Sequence, residues 1–113
     1  MNPKINILIL NWNGKKILKS CIDSLKKIKY SNFIITVIDN GSTDKSLDII
    51  KKDYKEVKII ELEQNYGYSG GYNNFIRKIN NESSDYFMLL NNDTEVDPNI
   101  LNEFNKARLY FGD

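Results

Sequence analysis

The 113-residue sequence predicts an α/β fold of alternating β-α units, with a mostly parallel, open sheet and helices on both faces. Three observations lead there. Short β-branched apolar runs recur along the chain at Ile5–Leu10, Phe33–Ile38, Val57–Leu62 and Phe87–Leu90. Between them lie stretches whose apolar residues fall three and four apart, the spacing of a helix with one buried face. Most runs also end abruptly in Asn, Asp or Gly, the residues that let a chain turn.

Taken in order, Ile5–Leu10 is nearly continuous in apolar character, as strands covered on both faces are. Ile17, Leu18, Cys21, Ile22, Leu25 and Ile28 then form the inner stripe of a helix, and Lys15, Lys16, Lys19, Lys26 and Lys27 mostly fall on the other side. A solvated helix face explains those lysines more simply than a membrane or acidic partner does. Phe33–Ile38 is the second strand. It ends at Asp39-Asn40-Gly41-Ser42-Thr43-Asp44, where polar side chains can cap the next helix and Gly41 permits a tight turn.

Leu47, Ile49, Ile50 and Tyr54 supply the buried side of that second helix, and Val57–Leu62 is a shorter third strand. The segment from Asn65 to Asn74 holds three of the six glycines and leads into a helix whose Phe75, Ile76 and Ile79 face the core. Phe87–Leu90 reads as a buried fourth strand. Asp97-Pro98 opens a last helix, because Asp is a good N-cap and Pro is tolerated at the first helical position.

Composition narrows the function. Sixteen Lys+Arg against fifteen Asp+Glu leave a net charge of +1, too little to hold nucleic acid by field alone, so the balance favours a small-molecule site. With no histidine and the single cysteine Cys21, internal disulfides, cysteine zinc sites and Ser-His or Cys-His catalysis are excluded, and a reducing, cytoplasmic setting is expected. No apolar run approaches the ~20 residues that span a bilayer, and the start lacks a signal-peptide layout.

Parallel strands bring their carboxyl ends to one sheet edge, where open α/β sheets bind ligands. Asn11 and Asn13 follow the first strand, Asp39 and Asn40 the second, and Asn91, Asn92 and Asp93 the fourth. Each cluster alone reads as turn chemistry; their coincidence on one edge points to a site. Asp39 and Asn40 can hydrogen-bond a base or ribose. Trp12 is either a flat surface for a base or core packing. Asp93 is a hard oxygen ligand suited to Mg²⁺ or Mn²⁺ beside a diphosphate. Glu95 is a second ligand or a loop charge, and Asp97 is better explained as a helix cap. Gly67, Gly70 and Gly71 follow the third strand, the wrong context for a dinucleotide fingerprint, and serve turning and close packing, a backbone approach to a sugar or diphosphate, or both.

Four motifs in order, Ile9-Leu10-Asn11-Trp12-Asn13-Gly14, Val37-Ile38-Asp39-Asn40-Gly41-Ser42-Thr43-Asp44, Asn65-x-Gly67-x-x-Gly70-Gly71-x-Asn73 and Leu89-Leu90-Asn91-Asn92-Asp93-Thr94, resemble the N-terminal half of family 2 glycosyltransferases of the GT-A fold. The resemblance runs from about Asn6 to Phe104 and looks most like rhamnosyltransferase-like members. It implies transfer of a sugar from a nucleotide diphosphate sugar, dTDP- or UDP-linked, to a glycan or lipid-linked acceptor in polysaccharide biosynthesis. It also implies Mg²⁺ or Mn²⁺ and a cytoplasmic location facing the inner side of the membrane.

Carried over by position, Asn11, Trp12 and Asn13 line the nucleoside pocket and Asp39 with Asn40 contacts the base. Gly70 and Gly71 lie beside the donor, and Asn91-Asn92-Asp93 stands where the family has Asp-x-Asp. Asn91 replaces the first acidic residue, which leaves Asp93 as the metal ligand. The sequence is expected to be the donor-binding part of a longer enzyme, weakly active or inactive alone, and no residue in it is assigned the general base. A nucleotide-binding module without turnover and a sugar-phosphate nucleotidyltransferase are the other classes considered.

Overall fold

A computed structural model describes residues 2–78 and 83–111. Eight elements alternate without exception: β1 Ile5–Asn11, α1 Leu18–Leu25, β2 Phe33–Asp39, α2 Ser46–Asp53, β3 Lys58–Glu61, α3 Gly67–Lys78, β4 Tyr86–Asn91 and α4 Ile100–Phe111. The four strands form one parallel sheet in the order β3-β2-β1-β4. Strand order therefore runs outward from β1 to β3 and then reverses to place β4 on β1's other side.

That reversal has consequences for both faces. Because β-α-β crossovers share one hand, reversing the direction in which successive parallel strands are added across the sheet moves the connecting helix to the opposite face. Accordingly, α1, α2 and α4 pack with Ile5, Ile7, Ile9, Ile35 and Val37 on one side, while Tyr72 and Phe75 of α3 pack with Leu8, Ile38 and Leu62 on the other. β1 lies between two strands and beneath helices on both faces, which explains its almost unbroken apolar sequence. Even its buried Asn6 is satisfied, accepting a hydrogen bond from Thr36 Oγ1 at 2.9 Å.

Several local expectations change. β4 is an edge strand rather than a buried one: Tyr86, Met88 and Leu90 lean on the core, but Phe87 and Leu89 point to the α3 side and are exposed. Periodicity cannot separate an edge strand from a central one when the residues are all apolar. Ile17, Ile49 and Ile76 are exposed too. Ile17 precedes the first turn of α1, and Leu47, Ile50 and Tyr54 already fill the inner side of α2. In α3, Phe75 occupies the buried position, which turns its neighbour Ile76 outward; Ile79 lies outside the described residues. Ile28 packs against the core from beyond the end of α1.

α3 starts at Gly67, so Gly70 and Gly71 belong to the helix instead of leading into it. Close packing is the reason Gly71 must lack a side chain, since a Cβ there would overlap Leu10 Cδ1. α4 starts at Ile100, two residues after Pro98, and Asp97 closes the turn before it by accepting from Asn99 N at 2.8 Å.

Candidate functional site

The carboxyl ends of β1 and β4 flank the point where strand order reverses, the place where open α/β sheets form a crevice. A groove of about 350 Å³ opens there. Its walls include Trp12 after β1, Asn65, Gly67 and Tyr68 at the start of α3, and Asn91, Asn92 and Asp93 after β4. Trp12 is 53 % exposed and Tyr68 59 %, so two large aromatic rings stand open to the groove instead of filling the core. Tyr68 also stacks edge-on against Tyr72, with ring centroids 5.2 Å apart.

The candidate residues divide into those that line this groove and those that stand behind it. Trp12, Asn40, Asn91, Asn92 and Asp93 line it. Asn11 and Asp39 do not. Register places Asn11 directly beside Asp39 on the neighbouring strand. Asn11 is fully buried, and its Nδ2 donates to Asp39 Oδ1 at 3.0 Å and Ser46 Oγ at 2.9 Å. Asp39 is also met by Ser42, whose hydroxyl donates to Oδ1 at 2.7 Å and whose amide donates to Oδ2 at 3.0 Å.

Asn40 touches the groove but is 2 % exposed, and its side chain is engaged on both atoms. Its Nδ2 donates to Asn65 Oδ1 at 3.1 Å and to the Gly67 carbonyl at 2.9 Å, and its Oδ1 accepts from Tyr66 N at 2.9 Å. It thus pins the chain that carries Tyr68. Gly41, at φ +78°, makes this fit possible, because a Cβ would come within 2.9 Å of the Gln64 and Asn65 backbone. Asn13 is exposed and left-handed at φ 50°; its Oδ1 accepts from Thr43 N at 2.8 Å. Gly70 and Gly71 pack beneath the groove, against Tyr66 and Leu10, and do not line it.

Two donors hold the end of β4, one from each face of the sheet. Cys21 Sγ lies 3.8 Å from the Asn91 carbonyl, and Tyr72 Oη donates to the Leu90 carbonyl at 3.1 Å. Burial pushes the Cys21 thiol up to about 11 and the Tyr72 phenol up to about 12, so both keep their protons near neutrality. Asp93 itself is exposed on the rim and also borders a second hollow of about 210 Å³ with Lys16, Ser20 and Glu95.

Among the described residues no group of three or more His, Cys, Asp or Glu is placed to hold a metal ion. Among the described residues, Asp93 is the charged one lining the groove, and no lysine or arginine lines it. A diphosphate entering such a groove would meet a carboxylate without a compensating cation. One carboxylate fits a hard divalent ion that takes its remaining ligands from phosphate and water. The start of α3 at Gly67 and Tyr68 adds the positive end of a helix dipole to the same wall.

Sequence reasoning missed Asn65 and Tyr68. Their signal was present in Asn65-Tyr66-Gly67-Tyr68, where aromatic residues interleave with the glycines.

Residues 6–107 match the family described as Glycosyl transferase family 2, and the chain belongs to that family. Its curated relatives include a teichoic acid poly(glycerol phosphate) polymerase of Staphylococcus epidermidis, 29 % identical over 97 residues. Another is a poly(ribitol-phosphate) beta-glucosyltransferase of Bacillus spizizenii, 33 % identical over 98 residues. The aligned region covers 82 % of this chain in both cases but only 13 % and 15 % of those relatives' lengths.

Among solved structures, residues 1–349 of Staphylococcus aureus TarS in complex with UDP superpose with a TM-score of 0.81 at 21 % identity, covering 95 % of this chain and 32 % of that one. A mannosyltransferase of Pyrobaculum calidifontis, in complex with GDP-Man and Mn²⁺, gives 0.85 at 14 % identity, covering 96 % and 33 %. Both likenesses establish the shared fold.

Proposed function

We propose that this chain is the donor-binding part of a glycosyltransferase that moves a sugar from a nucleotide diphosphate sugar to an acceptor hydroxyl. The observation that carries the reading is the groove at the strand-order reversal, which sets two exposed aromatic rings and Asp93 around a space that no lysine or arginine among the described residues lines. Trp12 and Tyr68 offer flat faces to a base or sugar. Asn91 and Asn92 offer amides to hydroxyls or phosphate oxygens. Asp39 stands behind the groove, held by Asn11 and Ser42, while Asn40 holds the chain that carries Tyr68.

Asp93 would hold Mg²⁺ or Mn²⁺ together with the donor's phosphates, and the ion would offset charge on the departing diphosphate. Transfer breaks the bond between the sugar's anomeric carbon and the diphosphate oxygen, and forms one from that carbon to the acceptor oxygen, which gives up its proton. UDP and UDP-GlcNAc in the TarS structures support a pyrimidine donor, UDP- or dTDP-linked, and GDP-Man with Mn²⁺ in the mannosyltransferase supports metal assistance. The names of the relatives support a polyol-phosphate polymer of the teichoic acid kind as the acceptor, and they leave the donor sugar open. No described helix is long and apolar enough to cross a membrane. We place the reaction on the cytoplasmic side, at the inner membrane face.

A thermal-shift series with UDP, dTDP and GDP, each with and without Mn²⁺, tests this. A diphosphate at ten times its dissociation constant stabilises the folded state by about 1.4 kcal/mol, a rise of roughly 5 °C for a domain of this size. One pyrimidine diphosphate is expected to give that rise with Mn²⁺ and a smaller one without, and Asp93→Ala is expected to remove the difference. No shift with any of the three contradicts the reading.

A further inference from the structure

The Asn91-Asn92-Asp93 segment is joined to the buried end of β1, behind the groove, by a side-chain bond from Asn92 Nδ2 to Asn11 Oδ1, at 3.0 Å. The acceptor in that bond is the same buried amide that donates to Asp39 and Ser46. Its orientation is not free. Asp39 also accepts from the Ser42 amide and hydroxyl, so the NH₂ group of Asn11 faces Asp39 and Ser46 and its carbonyl oxygen faces β4. A donor is therefore required at position 92, and Asn92 supplies it. No other uncharged side chain of that size at position 11 offers two donors on one side and an acceptor on the other.

Gly14 leaves the space in which this bond forms. A Cβ at Gly14 would overlap Asn11 Oδ1 and come within 2.5 Å of Asn92 Nδ2, the two atoms that make the bond. Its backbone is not left-handed, so strain is not the reason for glycine here. Gly14 is buried and does not line the groove.

We infer that Asn11 is a positioning residue: its buried amide, oriented by Asp39 and given room by Gly14, fixes the segment that carries Asp93 relative to the nucleotide groove. The inference rests on the proposed function for its consequence, though not for the coupling itself. The ends of β1, β2 and β4 move as one unit through a single amide, so a disturbance at β1 reaches Asp93 without any contact between the two. Asn11 acts behind the ligand, on the residues that touch it.

Gly14→Ala tests this, because it disrupts the Asn11–Asn92 bond from a buried position that does not itself line the groove. In the ligand-free protein, ¹⁵N-¹H spectra are expected to show shifts at the amides of Asn91 to Thr94 and of Asp39 to Ser42, with β3 and α4 unchanged. Changes confined to Asn11 through Leu18 overturn the coupling. In UDP titrations, the enhancement of affinity by Mn²⁺ is expected to fall about tenfold, while metal-free UDP binding stays within about twofold. An equal loss with and without Mn²⁺ reveals a merely structural role and overturns the inference. If the wild-type chain shows no Mn²⁺ enhancement, the proposed function fails instead, and the ligand-free spectra alone decide the coupling. If Gly14→Ala loses its dispersed amides, Asn92→Ala removes the donor from the surface side; unchanged Asn11 and Asp39 amides in that variant overturn the inference.

Discussion

Asn and Asp end both β2 and β4, and they do opposite things in the two places. At the end of β2, Asp39 and Asn40 are nearly inaccessible and spend their polar atoms on the protein itself, on Asn11, Ser42, Asn65, Tyr66 and Gly67. At the end of β4, Asn91 and Asp93 are exposed, and the segment is tied back through Asn92 and Cys21, while the Thr94 amide closes a turn onto the Asn91 carbonyl. The difference comes from position in the sheet. β2 is an inner strand whose carboxyl end is roofed by the chain entering α3, whereas β4 is an edge strand with one side open. Buried polar groups must find partners or cost about 1–3 kcal/mol each, so the inner cluster became a frame and the outer one remained available for ligands.

The largest way to break the contrast is to remove a member of the frame. Asn40→Ala leaves Tyr66 N without its acceptor and takes one donor each from Asn65 Oδ1, which keeps the Gly67 amide, and from the Gly67 carbonyl. Its cost is expected to be about 3 kcal/mol in urea unfolding. Nucleotide binding should fall with it even with and without metal, because the chain carrying Tyr68 is released.

A smaller effect sharpens the contrast at a half-exposed carboxylate lying between frame and rim. Asp44 accepts from the amides of Lys15 and Ser46, both at 2.9 Å, joining the start of α2 to the turn after β1. Burial raises its carboxyl, but the hydrogen bonds from Ser46 and Lys15 outweigh that and hold it below its ordinary value. A carboxylate with a depressed folded pKa contributes stability that is present above its unfolded value of about 3.9 and is lost as pH falls through the folded value. Asp44→Asn is therefore expected to reduce stability modestly at neutral pH and to flatten the acid limb below about pH 4; an unchanged acid limb in unfolding curves contradicts this.

The alternation of strands and helices was legible because it depends on periodicity, which the letters carry directly. The placement of all three polar clusters on one edge followed from parallel strands. What the letters did not carry was depth. Asn11 and Asn91 both follow an apolar run, yet one is fully buried and the other exposed, because that depends on which strands lie alongside. Phe87 and Leu89 looked like core for the same reason. Tyr68 was passed over because the glycines around it suggested a loop, while the structure starts α3 at Gly67 and turns the ring into the groove. Asn11, read from the sequence as a wall of the nucleoside pocket, lies fully buried behind the groove.

The most direct test sets Asp39→Ala beside Asp93→Ala in two measurements, urea unfolding and UDP titration with and without Mn²⁺. Asp39→Ala removes a buried acceptor from Asn11 and Ser42 and is expected to cost about 3 kcal/mol. Asp93→Ala, on the exposed rim, is expected to stay within about 0.5 kcal/mol of the wild-type stability while losing the Mn²⁺ enhancement of UDP affinity. The reverse pattern, a stability loss at Asp93 with metal-enhanced binding intact and a stable Asp39 variant, would contradict the division into frame and rim.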